Sequence, residues 1–130
     1  MDIHHICIQT DCYEASLAFY REMLGFELIM ETPDFHSRSF NTWLRRGGFH
    51  IELQTAKEGD GLIPWNSRNA GPVHLCFRVK DVRMSFEELN LLGARFKEKQ
   101  GQSLYTVENG LLFKVMAPEG TEIEFRDTDI

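Results

Sequence analysis

The residues best suited to bind and use a metal occur in this chain as a repeated pair. His5 opens the apolar run His5-Ile6-Cys7-Ile8, and His74 opens His74-Leu75-Cys76-Phe77. Glu52 lies in Gly48-Phe49-His50-Ile51-Glu52-Leu53, and Glu124 in Gly120-Thr121-Glu122-Ile123-Glu124-Phe125. The interval between the two histidines nearly equals that between the two glutamates. Two imidazoles and two carboxylates in matched positions read as one metal centre built by a duplicated module.

Alternation along strands decides which side chains meet. Successive residues of a strand point to opposite faces. In the run 3–9, His5, Cys7 and Gln9 share a face opposite His4, Ile6 and Ile8. In 73–79, His74, Cys76 and Arg78 oppose Val73, Leu75, Phe77 and Val79. Glu52 sides with His50 and Gln54, and Glu124 with Glu122 and Arg126, each opposite an apolar set. All four strands therefore pair an apolar face, suited to helix cover, with a polar face that carries a candidate ligand. A sheet curved around the polar faces would enclose a charged cavity.

The elements that position these residues repeat in the same order. The first half reads as a strand at 3–9 and a helix at 13–24, with Leu17, Tyr20 and Leu24 on one stripe. Asp11 lies in the N-cap region and Gly25 at the helix end. Strands follow near 26–31, 38–45 and 48–55, with turns at Pro33 and Gly47-Gly48. The second half reads as a strand at 73–79, a helix at 82–92 with Val82, Phe86 and Leu89 on one stripe, and Gly93 at its end. Further strands fall near 94–98, 104–107, 111–116 and 121–126, punctuated by Gly101, Asn109-Gly110 and Pro118-Glu119-Gly120. The expected class is α+β, a single domain of residues 1–130. It comprises module one at 1–55, a Gly/Pro-rich linker at 56–72 and module two at 73–130, each module βαβββ.

Bulk properties narrow the function classes. A chain of 130 residues that is 42% hydrophobic and 26% charged suits one folded domain rather than a disordered segment. The formal charge of −6 argues against a nucleic-acid partner, which calls for a clustered basic face. No apolar run approaches the roughly 20 residues of a membrane span, and Met1-Asp2 begins no signal peptide. The three cysteines, Cys7, Cys12 and Cys76, form no disulfide framework and read as reduced thiols of a cytoplasmic protein. Cys7 and Cys76 are expected to be small interior fillers.

The opening His4-His5-Ile6-Cys7-Ile8, the run Ser16-Leu17-Ala18-Phe19-Tyr20 and Leu24-Gly25-Phe26 resemble the first βα unit of the vicinal oxygen chelate superfamily. Residues 71–79 and 118–125 resemble its second half, so the resemblance spans essentially the whole chain. It implies two βαβββ modules paired into a cupped, mostly antiparallel sheet, with helices on the outer face and one divalent metal held inside. The ligand set His5, Glu52, His74 and Glu124 resembles that of glyoxalase I more than its relatives, because epimerases of the superfamily tend to carry glutamine at the second position. Fosfomycin enzymes and extradiol dioxygenases coordinate through two histidines and one glutamate.

The resemblance implies a metal-dependent lyase or isomerase using Ni²⁺, Zn²⁺, Co²⁺ or Mn²⁺. Proton transfer would pass through a metal-stabilised enediolate of a small hydroxycarbonyl or hemithioacetal, with Glu124 as general base and Glu52 as ligand and partner. Other readings within the resemblance are an epimerase, a thiol transferase, a dioxygenase and a non-catalytic drug-binding or resistance protein. It also implies a homodimer with sites between subunits, whereas the duplicated pattern alone fits closure within one chain equally well. Gln9 and Ala56 stand where bacterial glyoxalase I carries a glutathione-holding arginine and an asparagine, which leaves Arg78 as the expected anion contact. His50 and Trp43 are further pocket candidates, and Trp43 and Trp65 read either as an apolar substrate wall or, in preference, as core packing or a dimer contact. His4 is expected against the helix layer, outside the ligand set, and His36 in an exposed turn.

Overall fold

The computed structural model describes residues 1–129. It has an α+β fold of two βαβββ modules, each built on a four-stranded sheet of mixed direction. The chain divides into two compact units, one ending at Pro64 and the other starting at Trp65.

In the first unit, β1 (His5–Thr10) leads into α1 (Tyr13–Ala18), which runs on as a π turn over Phe19–Met23. Then come β2 (Glu27–Phe35), β3 (Arg38–Arg46) and β4 (Phe49–Thr55). The sheet order is β1-β4-β3-β2, with β1 parallel to β4 and the other pairs antiparallel. Ile8, Leu44, Ile51 and Leu53 from the strands are buried together with Phe19, Tyr20 and Leu24 from the helix. This is the apolar face that strand alternation requires.

The second unit repeats the plan. Its elements are β5 (His74–Arg78), α2 (Val82–Leu91), β6 (Leu104–Val107), β7 (Gly110–Met116) and β8 (Glu122–Arg126). The order β5-β8-β7-β6 has β5 parallel to β8 and antiparallel pairs elsewhere. Phe113, Val115, Ile123 and Phe125 pack with Val82 and Leu89 of α2, and the Phe86 ring meets Phe113 edge-on with centroids 5.4 Å apart.

Helix ends follow the chain's own signals. Asp81 caps α2 by accepting from the Met84 amide at 2.9 Å. Gly93, at φ +78°, closes it: Ala94 N–H reaches Leu89 O and Gly93 N–H reaches Asn90 O, a Schellman pair. Gly25 (φ +69°) ends the first helix, where Phe26 N–H reaches back to Tyr20 O. At the start of that helix Cys12, rather than Asp11, is the N-cap and offers no side-chain cap bond; the Thr10 hydroxyl instead accepts from Cys12 N–H.

Two strand expectations change. Pro33 lies inside β2 opposite Phe40, and the turn falls at His36 and Ser37, both with positive φ. A proline is tolerated there because β2 is an edge strand, where a missing N–H costs no ladder bond. The expected strand near 94–98 shrinks to a single bridge between Phe96 and Val115. Gln100 and Gly101, both left-handed, turn the chain away before β6 begins. Among the described residues no helix is long and apolar enough to cross a membrane.

Candidate metal centre

Parallel pairing places Cys7 beside Glu52 and Cys76 beside Glu124, with His5 beside His50 and His74 beside Glu122. Each candidate histidine thus sits diagonally from its glutamate. His5 Nε2 lies 3.6 Å from Glu52 Oε2, and His74 Nε2 lies 3.5 Å from Glu124 Oε2. The two histidine side chains are about equally accessible, at 35% and 34%, and both glutamates are more enclosed. The duplicated pair is therefore geometric as well as sequential.

These separations are at or just beyond the upper end of those between donors to a shared cation. Two donors at roughly 2.0–2.2 Å from one ion lie about 3.0–3.5 Å apart at ordinary coordination angles. Among the described residues no group of three or more His, Cys, Asp or Glu is arranged to hold a metal, and each candidate pair has two members.

The surroundings of the two pairs differ. In the first module His4 Nδ1 is 2.9 Å from His5 Nδ1, and the His4 ring stacks on His50 with centroids 5.5 Å apart. The strand begins at His5, so alternation does not extend to His4, and its ring is exposed beside the ligand pair rather than turned to the helix layer. The Trp43 ring meets His5 edge-on at 4.9 Å, directly across the sheet from Glu52. His50 Nδ1 is buried without a hydrogen-bond partner among the described residues.

In the second module the position of Trp43 is taken by Lys114, paired across the sheet with Glu124. Its Nζ lies 3.4 Å from Glu124 Oε2, 3.5 Å from Glu122 Oε2 and 3.3 Å from His74 Nδ1. Glu122 is 1% exposed and also forms an ion pair with Lys97. Glu122 is therefore sequestered from solvent. Sequence patterns did not single out Lys114, because its strand carries an otherwise apolar run; the alternation of Leu112, Lys114 and Met116 was the available signal.

Cys7 and Cys76 are exposed, against the expectation of interior fillers. Their sulfurs still lie against the Glu52 and Glu124 carboxylates, Cys76 Sγ donating to Glu124 at 3.5 Å. Partial desolvation, followed by the neighbouring Glu52 or Glu124 charge, pushes each thiol up to about 11. Both stay protonated at neutral pH, which makes them poor nucleophiles.

The other pocket candidates have definite partners. Gln9 accepts from Arg38 Nη1 at 2.9 Å, and the same guanidinium donates to Thr55 O. An arginine thus reaches the Gln9 side chain from β3, a residue the sequence reading missed. Arg78 is paired with Asp129 at 2.7 Å, both side chains largely exposed. Trp65 is half-buried, its Cβ 3.3 Å from where a side chain at Gly120 would begin. His36 is exposed in the β2–β3 turn, as expected.

Comparison with known proteins places this architecture. An uncharacterized protein of Bacillus subtilis (strain 168), YwkD, is 33% identical over 101 residues, covering 70% of this chain and 71% of YwkD. The crystal structure of a glyoxalase family protein from Enterococcus faecalis matches with a TM-score of 0.81 at 23% identity, over 97% of each chain. Lactoylglutathione lyase from Agrobacterium tumefaciens matches with a TM-score of 0.71 at 19% identity, over 97% of this chain and 92% of the other; at these identities both structures speak for the fold alone. The Glyoxalase/Bleomycin resistance protein/Dioxygenase superfamily model matches residues 2–125, and with the duplicated βαβββ modules already described, the chain belongs to that superfamily.

Proposed function

We propose that this protein is a metal-dependent lyase or isomerase of the glyoxalase I type, acting on a small hydroxycarbonyl or hemithioacetal. The observation that carries the reading is the recurrence of one His Nε2–Glu Oε2 pair, at 3.6 and 3.5 Å, at equivalent register positions of both modules. A full set of His5, Glu52, His74 and Glu124 draws one pair from each module, and a homodimer is the assembly we assign to it.

The first module is prepared for ligation. If His5 Nδ1–H donates to His4 Nδ1, the proton is fixed on that nitrogen and Nε2 is left free beside Glu52. A divalent ion held there would supply Lewis acidity toward a carbonyl oxygen of the substrate. The chain's residues do the rest. Glu124, the more enclosed of the two glutamates, is the general base that moves the proton between adjacent carbons. Arg38 and Gln9 lie on the face that carries His5 and offer a donor to an anionic group of the thiol partner.

The test is metal analysis of the purified protein, joined to a methylglyoxal–glutathione assay after Ni²⁺ or Zn²⁺ addition. One metal per four-residue set with turnover is the expected result. Metal without turnover moves the substrate to another thiol or another hydroxycarbonyl. No metal under any loading overturns the enzyme reading in favour of a binding protein of the superfamily.

A further inference from the structure

The lysine in the second half-site has no counterpart in the first. Trp43 and Lys114 occupy the same register position, each directly across from a ligand glutamate. The strand therefore needs no lysine there for backbone reasons. Nor does Glu122 need two ammoniums: Lys97 already pairs with it, and one carboxylate is balanced by one charge. Lys114 nevertheless extends past Glu122 to Glu124 and His74, with its side chain only 16% exposed.

Such an ammonium has two consequences. It occupies the electrostatic position of a cation at Glu124, so it opposes the binding of a second cation there. It also faces the histidine nitrogen remote from Glu124, and as a donor it holds that nitrogen as an acceptor. Ligation through His74 Nε2 requires the opposite tautomer, so Lys114 must give up His74 when a metal is bound. Buried Glu122 keeps the ammonium close even then.

The charge count gives its destination. Glu122 and Glu124 balance Lys97 and Lys114 in the second module. A divalent ion added to this group leaves a net positive charge, even with Glu52 joining the ligand set. We propose that Lys114 is a specificity-determining residue: an internal counter-cation in the metal-free protein, and an anchor for an anionic substrate group in the metal-loaded one. The substrate class it selects is a small hydroxycarbonyl compound bearing a carboxylate close to the reacting carbons. This inference rests on the metalloenzyme reading above.

The test compares wild type, Lys114→Met and Lys114→Arg by calorimetric titration, first with Mn²⁺ and then, on the Mn²⁺-loaded proteins, with oxalate as a carboxylate probe. The Met variant is expected to bind Mn²⁺ roughly tenfold more tightly and oxalate at least about tenfold more weakly, while the Arg variant keeps oxalate affinity near that of wild type. Opposite signs for metal and anion are the signature, since a merely structural lysine would weaken both on removal. Thermal unfolding of each variant reports folding, and Lys114→Gln replaces the Met variant if the latter does not fold. Unchanged oxalate affinity in the Met variant, or joint weakening of metal and oxalate, overturns the role of Lys114 alone. Failure of the wild-type protein to bind Mn²⁺ overturns the metalloenzyme reading and this inference with it.

Discussion

The two modules share a backbone plan and a His–Glu pair but surround that pair with different chemistry. Around His5 and Glu52 lie rings: His4, His50 and Trp43. Around His74 and Glu124 lie charges: Lys114, Glu122 and, through Glu122, Lys97. At each ligand histidine the Nδ1 side has a partner of opposite consequence. His4 can accept a proton-bearing contact and leave Nε2 free, whereas an ammonium at His74 can only donate. The two modules thus keep the same His–Glu pair while its neighbours diverge, aromatic rings in one half and an ion-pair network in the other.

The largest expected effect separates the two glutamates. Glu124→Gln removes the proposed base and should lower turnover by about a thousandfold, while retaining much of the metal. Glu52→Gln should act mainly on metal affinity. Steady-state rates together with metal content on both variants check this, and full activity in the Glu124 variant would remove its assignment as base.

A second comparison concerns the buried faces rather than the polar ones. Ile51 and Ile123 each immediately precede a ligand glutamate, and each is fully buried. Truncation of either to alanine should cost about 3 kcal/mol, from lost transfer energy and the cavity left behind. Urea denaturation should give similar losses in the two variants. A loss below about 1 kcal/mol in one of them would mean that this module's sheet relaxes around the gap, and that the packing behind the two half-sites is not equivalent.

These equivalences were largely legible in the sequence because they depend on local periodicity. Strand alternation put His5 and Glu52 on polar faces, and Gly25 and Gly93 marked the helix ends at the residues where φ is positive. What escaped was set by pairing between strands distant in sequence. Lys114 matters only once β7 is registered so that Lys114 faces Glu124, and Arg38 only once β3 brings it near Gln9. His4 was misplaced by extending alternation one residue beyond the strand. The expected 94–98 strand keeps only the Phe96–Val115 bridge, because the left-handed pair at Gln100 and Gly101 turns the chain away before a longer ladder forms.

The partners at Nδ1 give a third, smaller effect. His4→Ala removes the ring that fixes the His5 tautomer and should weaken Mn²⁺ binding roughly tenfold, the scale of an outer partner to a ligand histidine. The fully loaded stoichiometry should stay unchanged, because His4 is not itself a ligand. Calorimetric titration checks both quantities. The sign is opposite to that expected for Lys114→Met, so the pair of variants tests the asymmetry from both sides. Unaltered affinity in the His4 variant would leave the short His4–His5 contact without a role in ligation.

The smallest effect lies away from the ligands, at the first residue of each helix. The second module places apolar Val82 there, whereas the first places Tyr13, whose hydroxyl donates to Glu31 and meets the Thr42 hydroxyl. Burial, followed by the Glu31 contact, raises the Tyr13 phenol above its ordinary value. In the unfolded chain it ionises near pH 10, so above that pH the folded protein holds a proton that the unfolded protein has lost. Stability from this group is therefore fully present below about pH 10 and declines as pH rises beyond it. Tyr13→Phe should cost about 1 kcal/mol at neutral pH, with the difference from wild type shrinking in urea denaturation at pH 10.5. A difference that stays constant between pH 8 and pH 10.5 would show that the phenol ionises alike in both states, and that the helix start of the first module contributes no alkaline weakness.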